Sequence, residues 1–357
     1  MFGIFRFILA MNVMIFHVLA IKIIGPYAVY TFFVLSGFLM TTIMHKTYGY
    51  TTNGLMKYAA NRALRLFPIY WFLLLLIFLA IFIIGEQSSL AYHSAMKIPR
   101  NLSEWLANIF LVYPEFKPVQ YPVRLSPPSW ALSIELFFYL LIGLGMTQTK
   151  KISLFIFSLS LILVIYQIVI GKGIGYGNVL EASLPFSLGG VIFHYKYKLK
   201  ALIDILPPNR VLIVGLSALC LNMFFAMYIQ SLTEQTFLFL ATWKIGALCT
   251  LFNIFCSGFV IISLYYSKSQ NTVLKKLDRE LGDLSYPLYI FHTAAAWIVA
   301  TWLYKDNMVN FREPNPLVFI FALLLTIFVC WITNKFINEW IESIRANIKS
   351  DKVKIKV

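Results

Sequence analysis

Two ionisable residues, Arg6 and His17, lie eleven positions apart in the first apolar stretch of the sequence. On one helix this spacing places them about 20° from eclipsed, with His17 roughly 16 Å further along the axis. Ionisable groups inside a membrane span are costly and mark functional sites by default. A guanidinium at one edge and an imidazole at mid-depth suit a tunnel entered from one side, with the imidazole available for proton transfer. The alternative is an interfacial arginine and a histidine bonded to a neighbouring helix.

Two further arginines, Arg62 and Arg65, are three positions apart and therefore neighbours on a helix surface. Guanidinium forks are favoured partners of phosphate oxygens. The alternative is the ordinary positive charge of a cytoplasmic membrane edge, followed by an aromatic belt at Tyr70 and Trp71.

A carboxylate, Glu135, follows Trp130 in another apolar stretch and shares a helix face with Tyr139, four positions later. Inside a membrane it must be paired or protonated, and a structural ion pair is the alternative to a functional role. His292 lies roughly 10 Å into a later span, 284–303, whose first turn is predicted to contain Pro287, although a packing histidine is the alternative there. Since the histidines lie on different helices without an H-x-x-x-H pair, no metal site is expected.

The composition indicates which kind of element positions these residues. Of the 357 residues, 60% are hydrophobic and 13% are charged, against about 25% charged in soluble domains. The formal charge of +15 raises the possibility of nucleic-acid binding. A nucleic-acid partner is excluded because the basic residues lie between long apolar runs instead of on a wet face of a soluble core.

About 20 apolar residues cross a bilayer, which predicts an all-α polytopic membrane helix bundle of about ten transmembrane helices. The apolar run at 236–266 is long for one helix and short for two, and we count it as one span. The predicted spans are 2–24, 27–44, 67–85, 129–146, 152–171, 179–195, 211–230, 240–266, 284–303 and 317–337.

Arg6 and the basic residues of the segments on its side of the membrane number twenty, against eight for Lys22 and the segments on the opposite side. This bias predicts that both termini are cytoplasmic. We expect a membrane-embedded unit over 1–340 and a basic cytoplasmic tail over 341–357, with the end from Arg345 to Val357 solvated or facing lipid headgroups. The proline-rich segment 86–128 is expected to be an external irregular cap with one short helix near 102–113.

Taken together, these residue clusters resemble acyltransferase family 3, the multi-span bacterial O-acyltransferases that modify surface glycans. Arg6 and His17 match the family's R-x10-H, and Arg62 and Arg65 match its R-x-x-R. The segment from Phe32 to Leu39, FFVLSGFL, matches its second-helix signature. Two later motifs of the family are matched by W-x4-E from Trp130 to Glu135 and by SYPLYxxH from Ser285 to His292.

The resemblance implies transfer of an acyl group, usually acetyl, from cytoplasmic acyl-CoA to a hydroxyl of a carbohydrate, which can be lipid-linked, at the inner membrane of a bacterium. It implies catalytic roles for His17 as base, for Arg6 and for Glu135. The donor would be bound by the side chains of Arg62, Arg65, Ser36 and His292, while Trp130 and Tyr139 would lie on the acceptor side. Acyl-CoA acts as a substrate, and no permanently bound cofactor is expected.

The sequence departs from the family pattern at Tyr30, where many relatives carry an acidic residue before the aromatic pair. If that acid orients the base in relatives, another group must do so in this chain. The esterase-like C-terminal domain of some relatives is also missing, so we expect a stand-alone transferase unit.

Two other classes of protein are alternatives. A transporter or flippase of a lipid-linked glycan could line a polar pathway with Arg6, His17 and Glu135, although no repeat between halves of the sequence supports it. A structural scaffold would leave the arginine and histidine inside the first span unexplained.

Overall fold

The structure, a computed structural model, describes residues 1–171, 175–204, 208–235, 239–267, 271–304 and 313–350. These residues form helices and connecting turns without a β-strand, which confirms the all-α prediction for the described part of the chain. The α-helices are α1 (Phe2–Leu19), α2 (Ile24–Ile43), α3 (Thr52–Ile84), α4 (Glu86–Tyr92), α5 (Leu102–Phe110), α6 (Trp130–Gly143), α7 (Lys150–Val169), α8 (Val179–Ile203), α9 (Pro208–Gln235), α10 (Phe239–Tyr266), α11 (Thr272–Tyr304), α12 (Pro316–Thr333) and α13 (Glu339–Ser350).

A helix overlaps each of the ten predicted spans, namely α1, α2, α3 and α6 to α12. Among the described residues, seven helical segments are long and apolar enough to cross a membrane, and Pro127–Gly143 is a shorter apolar segment. The run counted once, 236–266, contains a single helix, α10, over its described part. The protein is therefore a helical membrane protein, while the count of ten crossings and the side of the termini stay predictions.

Two helices extend well beyond their predicted spans. The 33-residue helices α3 and α11 begin at Thr52 and Thr272. The prediction that Pro287 lies in the first turn of a helix is wrong, because it lies inside α11. A proline removes one backbone donor and does not stop a helix that packing supports, and the polar segment before it is rich in good helix formers such as Lys, Leu, Arg and Glu.

Helices α1 and α11 run parallel and in close contact. A Cβ added at Gly3 would lie 1.7 Å from the carbonyl oxygen of Asp278, and one added at Gly282 would lie 2.8 Å from the Cα of Gly3. Further along, the rings of His17 and His292 are 5.3 Å apart. The predicted topology requires this parallel arrangement, because it has both helices entering the membrane from the same side.

Helix α2 occupies the centre of the bundle and packs on α8 through glycines. A Cβ at Gly37 would lie 2.2 Å from the carbonyl oxygen of Phe186, and one at Gly189 would lie 2.4 Å from that of Val34. Small residues let membrane helices approach this closely. The glycine of the FFVLSGFL signature therefore fixes α2 against α8, which sets the position of the adjacent Ser36.

The cap over 86–128 contains α4, α5 and two short 3-10 turns, Pro118–Gln120 and Pro127–Ser129. Helix α5 confirms the short helix predicted near 102–113, while α4 adds a helix that the proline pattern did not indicate. Arg124 is 4% exposed and donates to carbonyl oxygens at 2.5–3.1 Å. Its acceptors are the backbone carbonyls of Pro118, Val119, Tyr121 and Pro127. Burial lowers the pKa of this guanidinium, and the carbonyl oxygens supply its hydrogen-bond acceptors.

The chain returns to the bundle at its C-terminal end, where α13 packs against α3. Ile341 is fully buried and Arg345, on the same helix face one turn later, is 2% exposed. The expectation of a solvated end beginning at Arg345 is therefore wrong for this residue, because an adjacent helix covers it. Residues 351–357 of the predicted tail lie outside the described residues.

Candidate active site

An elongated cavity of about 520 Å³ lies between α1, α2, α3, α6, α11 and α13. Its lining includes Val29 near the start of α2 and Ile43 at its end, a helical rise of about 21 Å. Polar side chains concentrate in the part of the cavity near the start of α1. The ionisable side chains among the lining residues, apart from tyrosines, are Arg6, Arg62, Arg65, Arg345 and Glu135.

The two arginines of α3 lie in the first half of that helix and line the cavity. Arg62 is only 9% exposed, and its Nη2 donates to the side-chain oxygen of Asn61 at 3.1 Å. The burial of Arg62, and the position of both arginines in the cavity wall, argue against the alternative that these charges only mark the edge of the membrane. Arg6 of α1 reaches the same cavity, with its Nη2 beside Gly282 of α11.

Glu135 of α6 lies in the wall of this cavity and accepts hydrogen bonds from the hydroxyls of Ser36 and Tyr139. Two of the three side chains were predicted from sequence to belong to different substrates, Ser36 to the donor and Tyr139 to the acceptor. The structure brings them together on one carboxylate. Helix α2 supplies Ser36, and the i, i+4 spacing on α6 supplies Tyr139.

His17 and His292 form a pair outside the cavity lining, with ring centroids 5.3 Å apart. His292 is fully buried, and its Nδ1 lies 3.2 Å from the carbonyl oxygen of Leu288. Because a carbonyl oxygen only accepts, Nδ1 carries the hydrogen and Nε2 presents a lone pair. That Nε2 has no hydrogen-bond partner among the described residues. His292, which we predicted to bind the donor, therefore lies beside the predicted base instead of beside the arginines.

The histidine pair lies near the end of the cavity opposite Arg6. Phe16 packs against Gly25 at the beginning of α2, where a Cβ would lie 2.5 Å from its ring. Tyr289, which lines the cavity, has its ring centroid 6.2 Å from that of His292. Arg6 and His17 thus mark opposite ends of one polar and aromatic path along α1 and α11.

Trp130 and Tyr30 lie apart from the cavity lining, in an aromatic cluster with Tyr176. The ring centroids of Trp130 and Tyr176 are 4.9 Å apart, and those of Tyr30 and Tyr176 are 6.1 Å apart. The Tyr30 hydroxyl is buried and makes no hydrogen bond to any described residue. It therefore does not orient His17, which is the task considered for an acid at this position.

Among the described residues, no group of three or more His, Cys, Asp or Glu side chains could hold a metal ion. The cavity offers cationic and hydroxyl groups instead, which suit an anionic ligand with several phosphate oxygens.

Two further residues, Arg345 and Asn61, were not predicted from the sequence, and their side chains meet at the arginine-rich end of the cavity. Arg345 donates to the side-chain oxygen of Asn61 from Nε at 3.3 Å and from Nη2 at 3.1 Å. The available signal was the i, i+4 spacing of Arg345 from Ile341, which places the arginine on the apolar face of a short amphipathic helix.

The chain was compared with protein families, curated proteins and solved structures. The family model Acyl_transf_3, described as an acyltransferase domain, matches residues 2–335. No curated protein and no solved structure matches the chain. Because the match covers nearly all of the helical bundle and both ends of the cavity, the chain belongs to acyltransferase family 3 and is a membrane acyltransferase.

Proposed function

We propose that the protein transfers an acyl group, acetyl in the simplest case, from acyl-CoA to a hydroxyl of a cell-surface or exported glycan. The observation that carries this proposal is the elongated cavity, with four arginines toward one end and a histidine pair beyond the other. Such a cavity fits a long donor that has its phosphates at one end and its reactive thioester at the other.

The donor would enter at the end of the cavity near Arg6, with its phosphates against Arg62 and Arg65. Its acyl-bearing arm would follow α2 past apolar side chains such as Leu39 and Phe33. The carboxylate of Glu135, held by Ser36 and Tyr139, would shape the wall along this path. Trp130, near the opposite surface in the predicted topology, would border the acceptor.

The proposed chemistry is attack of the acceptor hydroxyl oxygen on the thioester carbonyl carbon. A carbon–oxygen bond forms, the carbon–sulfur bond breaks, and CoA leaves as a thiolate. His17 takes the hydroxyl proton and passes it to the leaving thiolate, so the histidine is unchanged at the end of the turnover. A neutral imidazole is suited to this proton transfer at physiological pH.

The twenty-to-eight distribution of basic residues supports placing the arginine-rich end of the cavity on the cytoplasmic side, where acyl-CoA is made. The protein would then be a multi-pass protein of the bacterial cytoplasmic membrane. Its carbohydrate acceptor would meet the acyl group on the outer side.

The test is turnover by purified protein in lipid nanodiscs with labelled acetyl-CoA and candidate glycans. We expect labelled glycan and free CoA from the wild-type protein and a large loss with His17→Ala. Undiminished transfer by the His17→Ala variant would remove this residue from the chemistry. Movement of a lipid-linked glycan without any acyl transfer would support the transporter instead.

A further inference from the structure

Helix α13 places a fourth guanidinium at the arginine-rich end of the cavity. Arg345 lines the cavity together with Arg6, Arg62 and Arg65, although it is 280 positions away from Arg65 in the sequence. Its side chain is 97% buried, and the neighbouring Glu342 accepts a hydrogen bond from its Nη1. A buried guanidinium beside other cations is costly unless acceptors surround it.

The acceptors that the protein supplies to Arg62 and Arg345 are few. One atom, the side-chain oxygen of Asn61, accepts from Nη2 of Arg62 and from both Nε and Nη2 of Arg345. Three buried donors at this end have no hydrogen-bond partner among the described residues, namely Arg6 Nε, Arg62 Nε and Asn61 Nδ2. Buried donors are almost always satisfied, so these three indicate a bound group that supplies oxygen acceptors.

The charge of the lining defines that group. Among the residues that line the cavity, four arginines face one carboxylate, Glu135, which is already bonded to Ser36 and Tyr139. With Glu342, which lies outside the lining and pairs with Arg345, the carboxylates are still outnumbered by the arginines. A phosphate has several strong acceptor oxygens and at least one negative charge, and arginine forks bind it in a bidentate manner.

We propose that Arg345, Arg62 and Asn61 form a phosphate subsite for the acyl donor, in which Arg345 is a specificity-determining residue contributed by the C-terminal helix. This proposal rests on the proposed function, because acyl-CoA is the phosphate-bearing ligand. The donor phosphate accepts hydrogen bonds from the Arg62 and Asn61 donors that have no partner among the described residues, and it shares the Arg345 fork with the oxygen of Asn61.

The experiment compares wild-type, Arg345→Gln and Arg345→Lys proteins, as full chains in nanodiscs, with acetyl-CoA and with acetyl-pantetheine, which carries no phosphate. Because a hydrogen bond to a charged group is being removed, we expect Arg345→Gln to raise the KM for acetyl-CoA by about 10- to 100-fold with kcat within about two-fold. The Arg345→Lys variant keeps the charge and loses the guanidinium fork, so its KM for acetyl-CoA should lie between those of the wild-type and Arg345→Gln proteins. Turnover of acetyl-pantetheine should be the same for all three, which also shows that each variant is folded.

The matched control is Arg279→Gln, which removes one positive charge from an exposed site on α11 outside the cavity lining. It should leave both KM values unchanged. Nanodiscs of neutral and of anionic lipid distinguish a donor phosphate from a lipid headgroup phosphate, because an effect of Arg345→Gln confined to anionic lipid would assign the subsite to the lipid.

Direct binding of CoA, measured by calorimetry, separates this inference from the proposed function. Wild-type turnover with an unchanged KM and unchanged CoA affinity in Arg345→Gln would overturn the inference alone, as would an equal rise in the KM for acetyl-pantetheine. Absence of turnover with tight, Arg345-dependent CoA binding would overturn the proposed transfer and leave the phosphate subsite supported.

Discussion

His17 on α1 and His292 on α11 face each other with ring centroids 5.3 Å apart, and Nε2 of His292 is buried without a hydrogen-bond partner among the described residues. The helices that carry them run parallel and touch through Gly3 and Gly282 at one end. The pair is thus held by the same helix contact that places Arg6 beside the cavity.

The first prediction concerns the division of labour in this pair. We expect His17→Ala to lower kcat by about 10²- to 10⁴-fold, the usual contribution of a general base. We expect His292→Phe, which keeps a flat ring and loses the nitrogen atoms, to lower kcat while leaving the KM for acetyl-CoA unchanged. Steady-state kinetics with varied acetyl-CoA measure both quantities.

The control for the histidine variants is His194→Gln. Nε2 of His194 lies 2.9 Å from the carbonyl oxygen of Thr147, and a glutamine amide can donate there in its place. It should leave kcat within about two-fold of the wild-type value. A raised KM with an unchanged kcat in His292→Phe would return His292 to the donor-binding role that the sequence motif suggested.

The second prediction concerns Glu135 and its two hydroxyl donors. Ser36→Ala and Tyr139→Phe each remove one hydrogen bond to a carboxylate, so each should lower the free energy of unfolding by about 1.5–3 kcal/mol. Because both bonds end on one carboxylate, the double variant should be non-additive. Thermal or denaturant unfolding in detergent measures these values.

Ser153→Ala is the control for the serine variant. The Ser153 hydroxyl is buried and has no hydrogen-bond partner among the described residues. Removing it should be neutral or stabilising, because no bond is lost and a buried polar group disappears. Equal destabilisation by Ser36→Ala and Ser153→Ala would show that the bond to Glu135 contributes nothing.

The sequence was sufficient for the features that depend on one helix. The spacing of Arg6 and His17 predicted two depths on α1, and the structure places the two residues near opposite ends of the cavity. The length of the apolar runs predicted a helix at each of ten segments, and the structure has a helix at each. The three-residue spacing of Arg62 and Arg65 predicted neighbours on one helix surface, and both lie on α3.

Features that depend on contacts between helices could not be predicted from the sequence pattern. Periodicity indicates which residues share a face and leaves open which faces meet, so the placement of His292 beside His17 was missed. The sequence predicts that Arg345 begins a solvated or lipid-headgroup-facing end, because the lysines that follow it alternate with apolar residues too briefly for a fold. Its burial depends on α13 folding back against α3, which no local pattern fixes.

The third prediction concerns the glycine in the FFVLSGFL signature. A Cβ at Gly37 would lie 2.2 Å from the carbonyl oxygen of Phe186, so Gly37→Ala must push α2 away from α8. We expect a loss of about 1–3 kcal/mol in unfolding free energy, typical of overpacking, together with lower activity because Ser36 moves with α2. The control is Gly246→Ala on α10, where a Cβ meets no described atom within 4 Å. It should be neutral or stabilising by up to about 1 kcal/mol, because alanine is the better helix former.

The fourth prediction links the cap to the site through Arg124. Nε of this residue donates to the carbonyl oxygen of Pro127 at 3.1 Å, in the 3-10 turn that leads into α6, and α6 carries Glu135. Arg124→Met leaves several buried carbonyl oxygens without their donor, so it should lower the unfolding free energy by about 1.5–3 kcal/mol or more and reduce acyl transfer.

Arg100→Gln on the same cap is the control, because Arg100 is 72% exposed in its pair with Glu86 and an exposed pair contributes about 1 kcal/mol at most. If the two variants lose the same stability and activity, Arg124 does not support α6. Greater loss in Arg124→Met would show that the cap maintains the wall of the cavity.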